Sequence, residues 1–247
     1  MTDPARFSWT VLLPVKVLAQ AKSRLAALAG ERRRELALAL AADTAAAAAA
    51  CPEVGQLVVI TSDPVAGPLL AALGAVIVPD EPAGRAAAPV PVTGPGSAPQ
   101  VGGLGAQEGL NADLRHGAAV AARRWPGTGL AALTADLPAL RPAELSAALR
   151  AAAAQAAFVP DAALIGTTLY AVPPGAGFRP LFGGASAARH AASGAVQLDL
   201  GALGLDEQAG LRRDVDTPDD LRAALTLGAG PRTTALAAEL LADTEQR

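Results

Sequence analysis

Short apolar runs alternate with alanine- and leucine-rich segments in the first third of the chain, and this alternation constrains the fold most. The runs Thr10–Val15 and Gln56–Ile60 are typical of buried strands, and residues 31–50 between them favour a helix. A helix over 65–73 and a strand over 75–78 complete a β-α-β-α-β order. Because such units pair their strands in parallel through right-handed crossovers, we predict a Rossmann-like α/β fold. It would have one mostly parallel sheet with helices on both faces.

The remainder of the chain continues this pattern after one interruption. Residues 82–107 are rich in proline, glycine and alanine and carry almost no charge, which predicts a mobile insertion; a linker between two domains is the alternative. The 247 residues suit a single domain over 1–247. The other predicted elements are a basic loop over 16–29, helices over 109–124, 142–154, 186–193 and from Thr217 onward, and strands over 129–134, 156–159, 168–172 and 196–198.

Composition excludes several classes of protein. The net charge of −3 argues against a general basic surface for nucleic acid, and one cysteine excludes an intrachain disulfide. One cysteine and two histidines also exclude Cys₄ or Cys₂His₂ zinc sites, so a bound metal would be held by carboxylates, as Mg²⁺ or Mn²⁺ is. Met1–Pro4 has no signal-peptide pattern, and no apolar run reaches 18 residues. We therefore expect a cytoplasmic protein without a membrane or nucleic-acid partner.

Cations follow the first predicted strand. Lys16, Lys22 and Arg24 lie in one stretch of chain after this strand. Because ligands of parallel sheets bind at the carboxyl ends of the strands, these side chains are placed to neutralise a triphosphate. A solvated basic loop is the alternative interpretation.

Acids follow or precede other predicted elements. Asp136 comes directly after the strand over 129–134, and Asp216 comes just before the predicted helix cap Thr217. Carboxylates at the edge of a sheet can bridge Mg²⁺ and a nucleotide phosphate. The alternative for Asp136 is a turn acid that caps the next helix. Asp219 and Asp220 are predicted to be structural, in the first turn of the helix.

A group of small and polar residues lies in the second half of the chain. Gly183 and Gly184 permit close approach of backbone N–H groups to an anion, and Ser186 offers a hydroxyl at a helix start. An ordinary turn and an ordinary helix cap are the alternatives. Arg189 and His190 either add charge to that pocket or lie on the surface.

These motifs together resemble a known superfamily. The chain is similar to nucleotidyltransferases of molybdenum-cofactor guanylyltransferase type, and especially to the phosphoenolpyruvate / 2-phospho-L-lactate guanylyltransferases of coenzyme F-420 biosynthesis. The resemblance is carried by the stretches Leu13–Lys16, Ala21–Leu25, Gly109–Asn111, Ala135–Pro138, Phe182–Ala195 and Asp214–Pro218.

The resemblance implies a nucleotide-diphospho-sugar transferase-like fold and a set of site residues. It implies metal ligation by Asp136 and Asp216, and phosphoenolpyruvate contacts at Thr168, Gly183 and Ser186. It further implies nucleotide contacts, which would be made by Lys16, Lys22, Arg24 and Asn111. Asp136, Lys22 and Arg24 would serve catalysis.

The implied reaction moves GMP from GTP to phosphoenolpyruvate, with Mg²⁺ or Mn²⁺ as cofactor, and the product would pass to the next transferase of the pathway. Alternatives are 2-phospho-L-lactate or 3-phosphoglycerate as acceptor, a sugar-phosphate or molybdopterin nucleotidyltransferase, and a non-catalytic nucleotide-binding protein. Relatives acting on sugar phosphates or molybdopterin usually carry a glycine-rich first loop, and this chain has no glycine before Gly30.

Overall fold

The computed structural model describes residues 7–16, 25–80, 104–206 and 208–245. Its strands are β1 (Trp9–Pro14), β2 (Val54–Ile60), β3 (Val76–Val78), β4 (Gly129–Leu133), β5 (Ala157–Pro160), β6 (Thr167–Val172) and β7 (Val196–Gln197). Its α-helices are α1 (Ala26–Ala29), α2 (Arg33–Ala49), α3 (Ala66–Ala71), α4 (Leu104–Arg124), α5 (Pro142–Ala151), α6 (Ser186–Ala192), α7 (Pro218–Leu227) and α8 (Pro231–Glu245). Among these residues, no helix is long and apolar enough to cross a membrane.

The strands form one mixed sheet in the order β3-β2-β1-β4-β6-β5-β7. β1 pairs in parallel with β2 and β4, and β5 pairs in parallel with β7. β6 runs antiparallel to both of its neighbours, β4 and β5. The predicted mostly parallel sheet is therefore confirmed. The reversed direction of β6 brings its first residues to the edge at which the parallel strands end.

The sheet is buried on both faces by helices. Val11 and Leu13 of β1 lie in one apolar cluster with α2 and α5, whereas Leu12 lies in a second cluster with α4. Burial on both sides explains the nearly continuous apolar run in this strand. The predicted helices on both faces are confirmed, and α7 and α8 pack outside α2 in a third cluster.

Several predicted boundaries are wrong for identifiable reasons. Residues 26–29 of the predicted loop are helical, because Leu25 and Ala29 bury their side chains in the third cluster. Residues 104–107, placed in the predicted insertion, belong to α4, and residues 82–103 lie outside the described residues. The helix expected from Thr217 ends at Leu227, since Gly228 adopts φ +90° and Pro231 opens α8.

The N-terminus of α8 is held by a buried acid of α2. Asp43 is 4% exposed, and its carboxylate accepts hydrogen bonds from the amides of Thr233 (2.7 Å) and Arg232 (3.3 Å). Gly230 approaches so closely that a Cβ there would lie 2.4 Å from the Asp43 carboxyl carbon. A carboxylate at the positive end of a helix is stabilising, so Asp43 fixes α8 against α2.

We expect Asp43→Ala to lower the free energy of unfolding by about 1–3 kcal/mol, because two amides at the start of α8 lose their acceptor. Urea denaturation followed by circular dichroism measures the change. Glu239→Ala is the matched control on the same helix, since Glu239 is exposed and pairs only with a surface arginine, Arg32, among the contacts described. Equal losses in the two variants would contradict this role of Asp43.

Candidate active site

A cavity of about 290 Å³ opens at the carboxyl edge of the sheet, where β1 and β4 end side by side. Lys16 follows β1 and lines this cavity, and Asp136, after β4, lines it as well. Asp216 reaches the same cavity from a remote part of the chain, just before α7. The structure therefore brings together both acids and one cation of the sequence-derived set. Lys22 and Arg24 lie outside the described residues.

The two acids meet because their backbones are joined. The amide of Val215 donates a hydrogen bond of 3.1 Å to the carbonyl oxygen of Asp136. Val215 is itself fully buried in the cluster beneath α7 and α8. This bond places Asp216 beside Asp136.

Glu144 holds the chain segment that precedes Asp216. Its buried carboxylate accepts hydrogen bonds from the amides of Leu211 (2.9 Å) and Gly210 (3.3 Å), and also from the Arg141 amide at the start of α5 (3.3 Å). Gly210 also passes so close to Ala139 that a Cβ would lie 1.9 Å from its carbonyl oxygen. Only glycine fits there, so the segments before Asp216 and after Asp136 are locked together.

The turn at Asp136 is also held from α2. The hydroxyl of Thr44, fully buried, accepts a hydrogen bond from the Leu137 amide (2.9 Å) and donates one to the Leu40 carbonyl oxygen (2.8 Å). The loop after β4 is thus anchored within one residue of the acid. Sequence reasoning missed both Thr44 and Glu144, and their only signal was a polar residue within an apolar helix.

The start of α7 matches its prediction. Thr217 caps the helix, since its hydroxyl accepts from the Asp220 amide (3.2 Å) while the Asp220 carboxylate accepts from the Thr217 amide (2.8 Å). The predicted structural role of Asp220 is confirmed. Asp219 is exposed and bonds Arg222, which leaves Asp216 as the acid of this segment that lines the cavity.

A further acid, Asp80, interacts electrostatically with Lys16. Asp80 follows β3, and its backbone amide donates a hydrogen bond to the Ser62 hydroxyl oxygen (3.1 Å). Burial raises the pKa of the Asp80 carboxyl, while the hydrogen bonds of Ser62 and the charge of Lys16 oppose that rise. The charge of Lys16 therefore acts on the Asp80 carboxyl group at this edge of the sheet.

The residues expected to bind the acceptor cluster around the start of β6. Thr168 is fully buried, and its hydroxyl lies 3.4 Å from the Val159 carbonyl oxygen. Ser186 is 1% exposed and donates its hydroxyl to Thr167 Oγ1 at 3.1 Å. The alternative of an ordinary cap is wrong for Ser186, because Ala185 is the cap residue and Ser186 is the first helical residue.

The segment around Gly183 is held by three side chains. Asn111 accepts a hydrogen bond from the Phe182 amide (2.9 Å) and donates one to the Phe182 carbonyl oxygen (3.0 Å). Arg189 donates to the carbonyl oxygens of Leu181, Phe182 and Gly183. Gly183 and Gly184 both adopt positive φ, 95° and 45°. A nucleotide contact by Asn111 stays a prediction, and the contacts described give its amide a role in positioning this turn.

His190 is the third of these side chains, and it lies inside the protein. It is fully buried, and its ring stacks on Tyr170 with 4.5 Å between ring centroids. Nε2 accepts a hydrogen bond from the Leu181 amide (3.1 Å), and Nδ1 lies 3.0 Å from Thr167 Oγ1. Burial, helped by the charge of Arg189, lowers the pKa of His190 to about 4. A surface position for His190 is therefore wrong.

Metal-binding capacity rests on the two cavity acids. In the part of the chain that the structure describes, no group of three or more His, Cys, Asp or Glu side chains could hold a metal ion. Asp136 and Asp216 provide two carboxylates on one cavity. Mg²⁺ is commonly bound by one or two carboxylates with substrate phosphates supplying further ligands, so this donor set fits such an ion.

Solved structures identify the class of fold. A structure described as a nucleotide-diphospho-sugar transferase, from Desulfovibrio desulfuricans, matches with a TM-score of 0.58 and 14% identity over 94% of this chain and 97% of that one. The chain thus has the nucleotide-diphospho-sugar transferase-like fold, as expected from the sequence. No protein-family profile matches the chain.

Curated relatives are much more similar. A phosphoenolpyruvate guanylyltransferase of Thermomonospora curvata is 53% identical over 96% of this chain and 91% of its own length. Proteins of the same name from Streptomyces avermitilis and Streptomyces coelicolor are 54% and 52% identical, each over 94% of this chain and over 95% and 97% of their own lengths. The chain belongs to the phosphoenolpyruvate guanylyltransferase family.

We expect Gly210→Ala to lower stability by about 1–3 kcal/mol or more, because the new methyl group collides with backbone and cannot be accommodated by a side-chain rotation. Thermal unfolding measures the loss. Gly109→Ala in α4 is the matched control, since a Cβ there meets nothing within 4 Å and alanine favours a helix. A Gly210→Ala variant as stable as the wild type would contradict the locked contact.

The buried His190 also predicts a pH dependence of stability. In the unfolded chain the imidazole has its ordinary pKa of 6.5, whereas in the folded protein the pKa is about 4. Between these values the unfolded chain binds a proton that the folded protein does not, so stability is complete above pH 6.5 and falls as the pH is lowered towards 4.

The loss reaches at most about 3 kcal/mol. It is measured as the difference in urea midpoint between wild type and His190→Gln from pH 7 to about 4, the window set by these values. The variant keeps every other titrating group, so the difference isolates His190. Parallel curves for the two proteins would rule out a buried neutral imidazole.

Proposed function

We propose that this protein transfers the guanylyl group of GTP to the phosphate of phosphoenolpyruvate, giving enolpyruvoyl-2-diphospho-5′-guanosine and pyrophosphate. The observation that carries the proposal is the meeting of Asp136, Asp216 and Lys16 on one cavity at the carboxyl edge of the sheet. Relatives about half identical over nearly the whole chain are named for this activity. The step would belong to coenzyme F-420 biosynthesis, as the sequence resemblance implies.

The proposed reaction is an in-line displacement at the α-phosphorus of GTP. A phosphate oxygen of phosphoenolpyruvate forms a new bond to that phosphorus, and the bond from phosphorus to the α,β-bridging oxygen breaks. The electron pair of the broken bond leaves on pyrophosphate. Because the nucleophile is already an anion, the step needs no general base. This agrees with a site whose nearby histidine, His190, is buried and engaged by Leu181 and Thr167.

The main obstacle to this reaction is repulsion between two anions. Asp136 and Asp216 would hold Mg²⁺ or Mn²⁺, which lowers that repulsion and stabilises negative charge on the α-phosphate. Lys16 lines the same cavity and is placed to contact the phosphates of the nucleotide. Lys22 and Arg24 would join it there and stabilise the leaving pyrophosphate. These roles of Lys22 and Arg24 are implied by the sequence resemblance.

The acceptor would lie between the cavity and the start of β6. Thr168 and Ser186 are buried there, and Gly183 belongs to the turn that Asn111 and Arg189 hold. Backbone amides at such a turn suit a carboxylate or phosphate. We assign phosphoenolpyruvate contacts to Thr168, Gly183 and Ser186. The product would be handed to the next transferase of the pathway, in the cytoplasm.

The testing experiment measures pyrophosphate release with GTP and Mg²⁺ in the presence of different acceptors. Phosphoenolpyruvate, 2-phospho-L-lactate, 3-phosphoglycerate and a sugar 1-phosphate are compared. Release with phosphoenolpyruvate is the expected result. Release only with another phosphorylated acid would change the acceptor and keep the mechanism, and GTP binding without any release would favour a non-catalytic nucleotide-binding protein.

We expect Asp136→Asn to lower kcat by at least about 10²-fold, because the variant keeps the shape of the side chain and loses its charge. The measurement is pyrophosphate release at saturating GTP and phosphoenolpyruvate, with circular dichroism as the check on folding. Asp219→Asn is the matched control, since Asp219 is an exposed acid near Asp216 in the chain. Near-normal turnover by Asp136→Asn would refute the metal assignment.

A further inference from the structure

His190 joins two parts of the acceptor region, the turn that contains Gly183 and the hydroxyl pair of Thr167 and Ser186. Its Nε2 accepts from the Leu181 amide, at the start of the turn that contains Gly183. Its Nδ1 faces Thr167 Oγ1, which in turn lies 3.1 Å from Ser186 Oγ. A single imidazole therefore contacts the glycine turn on one side and a pair of hydroxyls on the other.

The contacts fix the state of the ring. A backbone amide can only donate, so Nε2 must carry a lone pair, and a neutral imidazole then carries its proton on Nδ1. Nδ1–H accordingly donates to Thr167 Oγ1 at 3.0 Å. Each ring nitrogen therefore makes one hydrogen bond, in which Nε2 is the acceptor and Nδ1–H is the donor.

Aromatic packing fixes the plane of the ring. Tyr170 stacks on it at an interplanar angle of 18°, and Phe182 meets it edge-on at 77° with 5.3 Å between centroids. The ring of Phe158 also packs against the imidazole, with 5.7 Å between the ring centroids. Because the ring cannot turn without losing these contacts, its two hydrogen bonds act as a rigid link between the turn and the hydroxyl pair.

We propose that His190 is a positioning residue for the acceptor, which sets the glycine turn through Nε2 and orients the Thr167–Ser186 hydroxyl pair through Nδ1. The inference rests on the proposed function, which places phosphoenolpyruvate against Gly183 and Ser186. Thr167, to which the sequence resemblance assigns no contact, becomes part of the acceptor site through these hydrogen bonds. Thr167 Oγ1 accepts hydrogen bonds from His190 Nδ1–H and from the Ser186 hydroxyl. The hydroxyl proton of Thr167 can then be donated to an anionic acceptor.

Two conservative variants separate the two halves of this link. In His190→Gln the terminal amide group lies two bonds beyond Cγ, as Nε2 does, and its oxygen can accept from Leu181. In His190→Asn the amide lies at the position of Nδ1, and its nitrogen can donate to Thr167. Each variant therefore keeps one hydrogen bond of the ring and loses the other.

The readout is the KM for phosphoenolpyruvate beside the KM for GTP, measured by pyrophosphate release. We expect each variant to raise the KM for phosphoenolpyruvate by about tenfold, the effect of one lost hydrogen bond, while the KM for GTP is unchanged. His116→Gln on α4 is the control for replacement of a histidine. A purely structural role would lower thermal stability and leave both KM values unchanged, or change them in parallel, and either result would overturn the proposal.

A second measurement requires no substrate. The chain has two histidines, so the ¹⁵N signals of the imidazoles in the wild type are assigned by comparison with His190→Gln. We expect the signals of a neutral ring protonated on Nδ1 for His190. A ring protonated on Nε2 at neutral pH would overturn the proposal.

Failure of the two proposals can be told apart. Wild-type turnover with phosphoenolpyruvate, together with unchanged KM values in the variants, would overturn only the role of His190. Wild-type turnover with a different phosphorylated acid would overturn only the choice of acceptor, and the same KM comparison with that acid then decides the role of His190. An absence of turnover with every acceptor would overturn both.

Discussion

One backbone hydrogen bond, from the Val215 amide to the Asp136 carbonyl oxygen, joins the two segments on which the cavity depends. Carboxylates placed on one cavity repel each other, so the fold must hold them against that repulsion. In the part of the chain that the structure describes, backbone contacts and buried side chains hold the segments that carry the two acids. Glu144 holds the Gly210 segment, and Thr44 holds the turn after Asp136. A buried, directed hydrogen bond has no water to compete with it, so these contacts hold the acids in place before any ligand arrives.

The two halves of the region differ in their electrostatic character. The cavity between β1 and β4 has three charged groups, those of Lys16, Asp136 and Asp216, in a lining that is otherwise mostly apolar. Around β6 the buried polar groups are neutral: hydroxyls, a neutral imidazole and backbone amides. A charged half suits a triphosphate and its counter-ion, whereas a neutral half can recognise a small anion by the direction of hydrogen-bond donors. This division supports separate places for nucleotide and acceptor.

Sequence patterns reveal those parts of the molecule that depend on local periodicity and on the ends of strands. The placement of Asp136 at the edge of the sheet followed from the apolar run before it, and the Thr217 cap followed from the acids that come after it. The burial of His190 was not predictable, because a polar residue next to an arginine is typical of a helix surface. The reversed direction of β6 was equally hidden, since an apolar run has no direction of its own. The long-range contact of Gly210 with Ala139 required backbone geometry that no spacing encodes.

The reversal of β6 has a consequence for how this architecture can diversify. The first residues of β6 lie at the edge of the sheet that carries the cavity, whereas β4 and β5 reach this edge with their last residues. The contacts around Thr167 and Ser186 therefore come from a continuous stretch of chain, whereas the acids are assembled from distant ones. Substitutions within that stretch can alter the groups around Ser186 while the backbone contact that joins the segments of Asp136 and Asp216 stays unchanged.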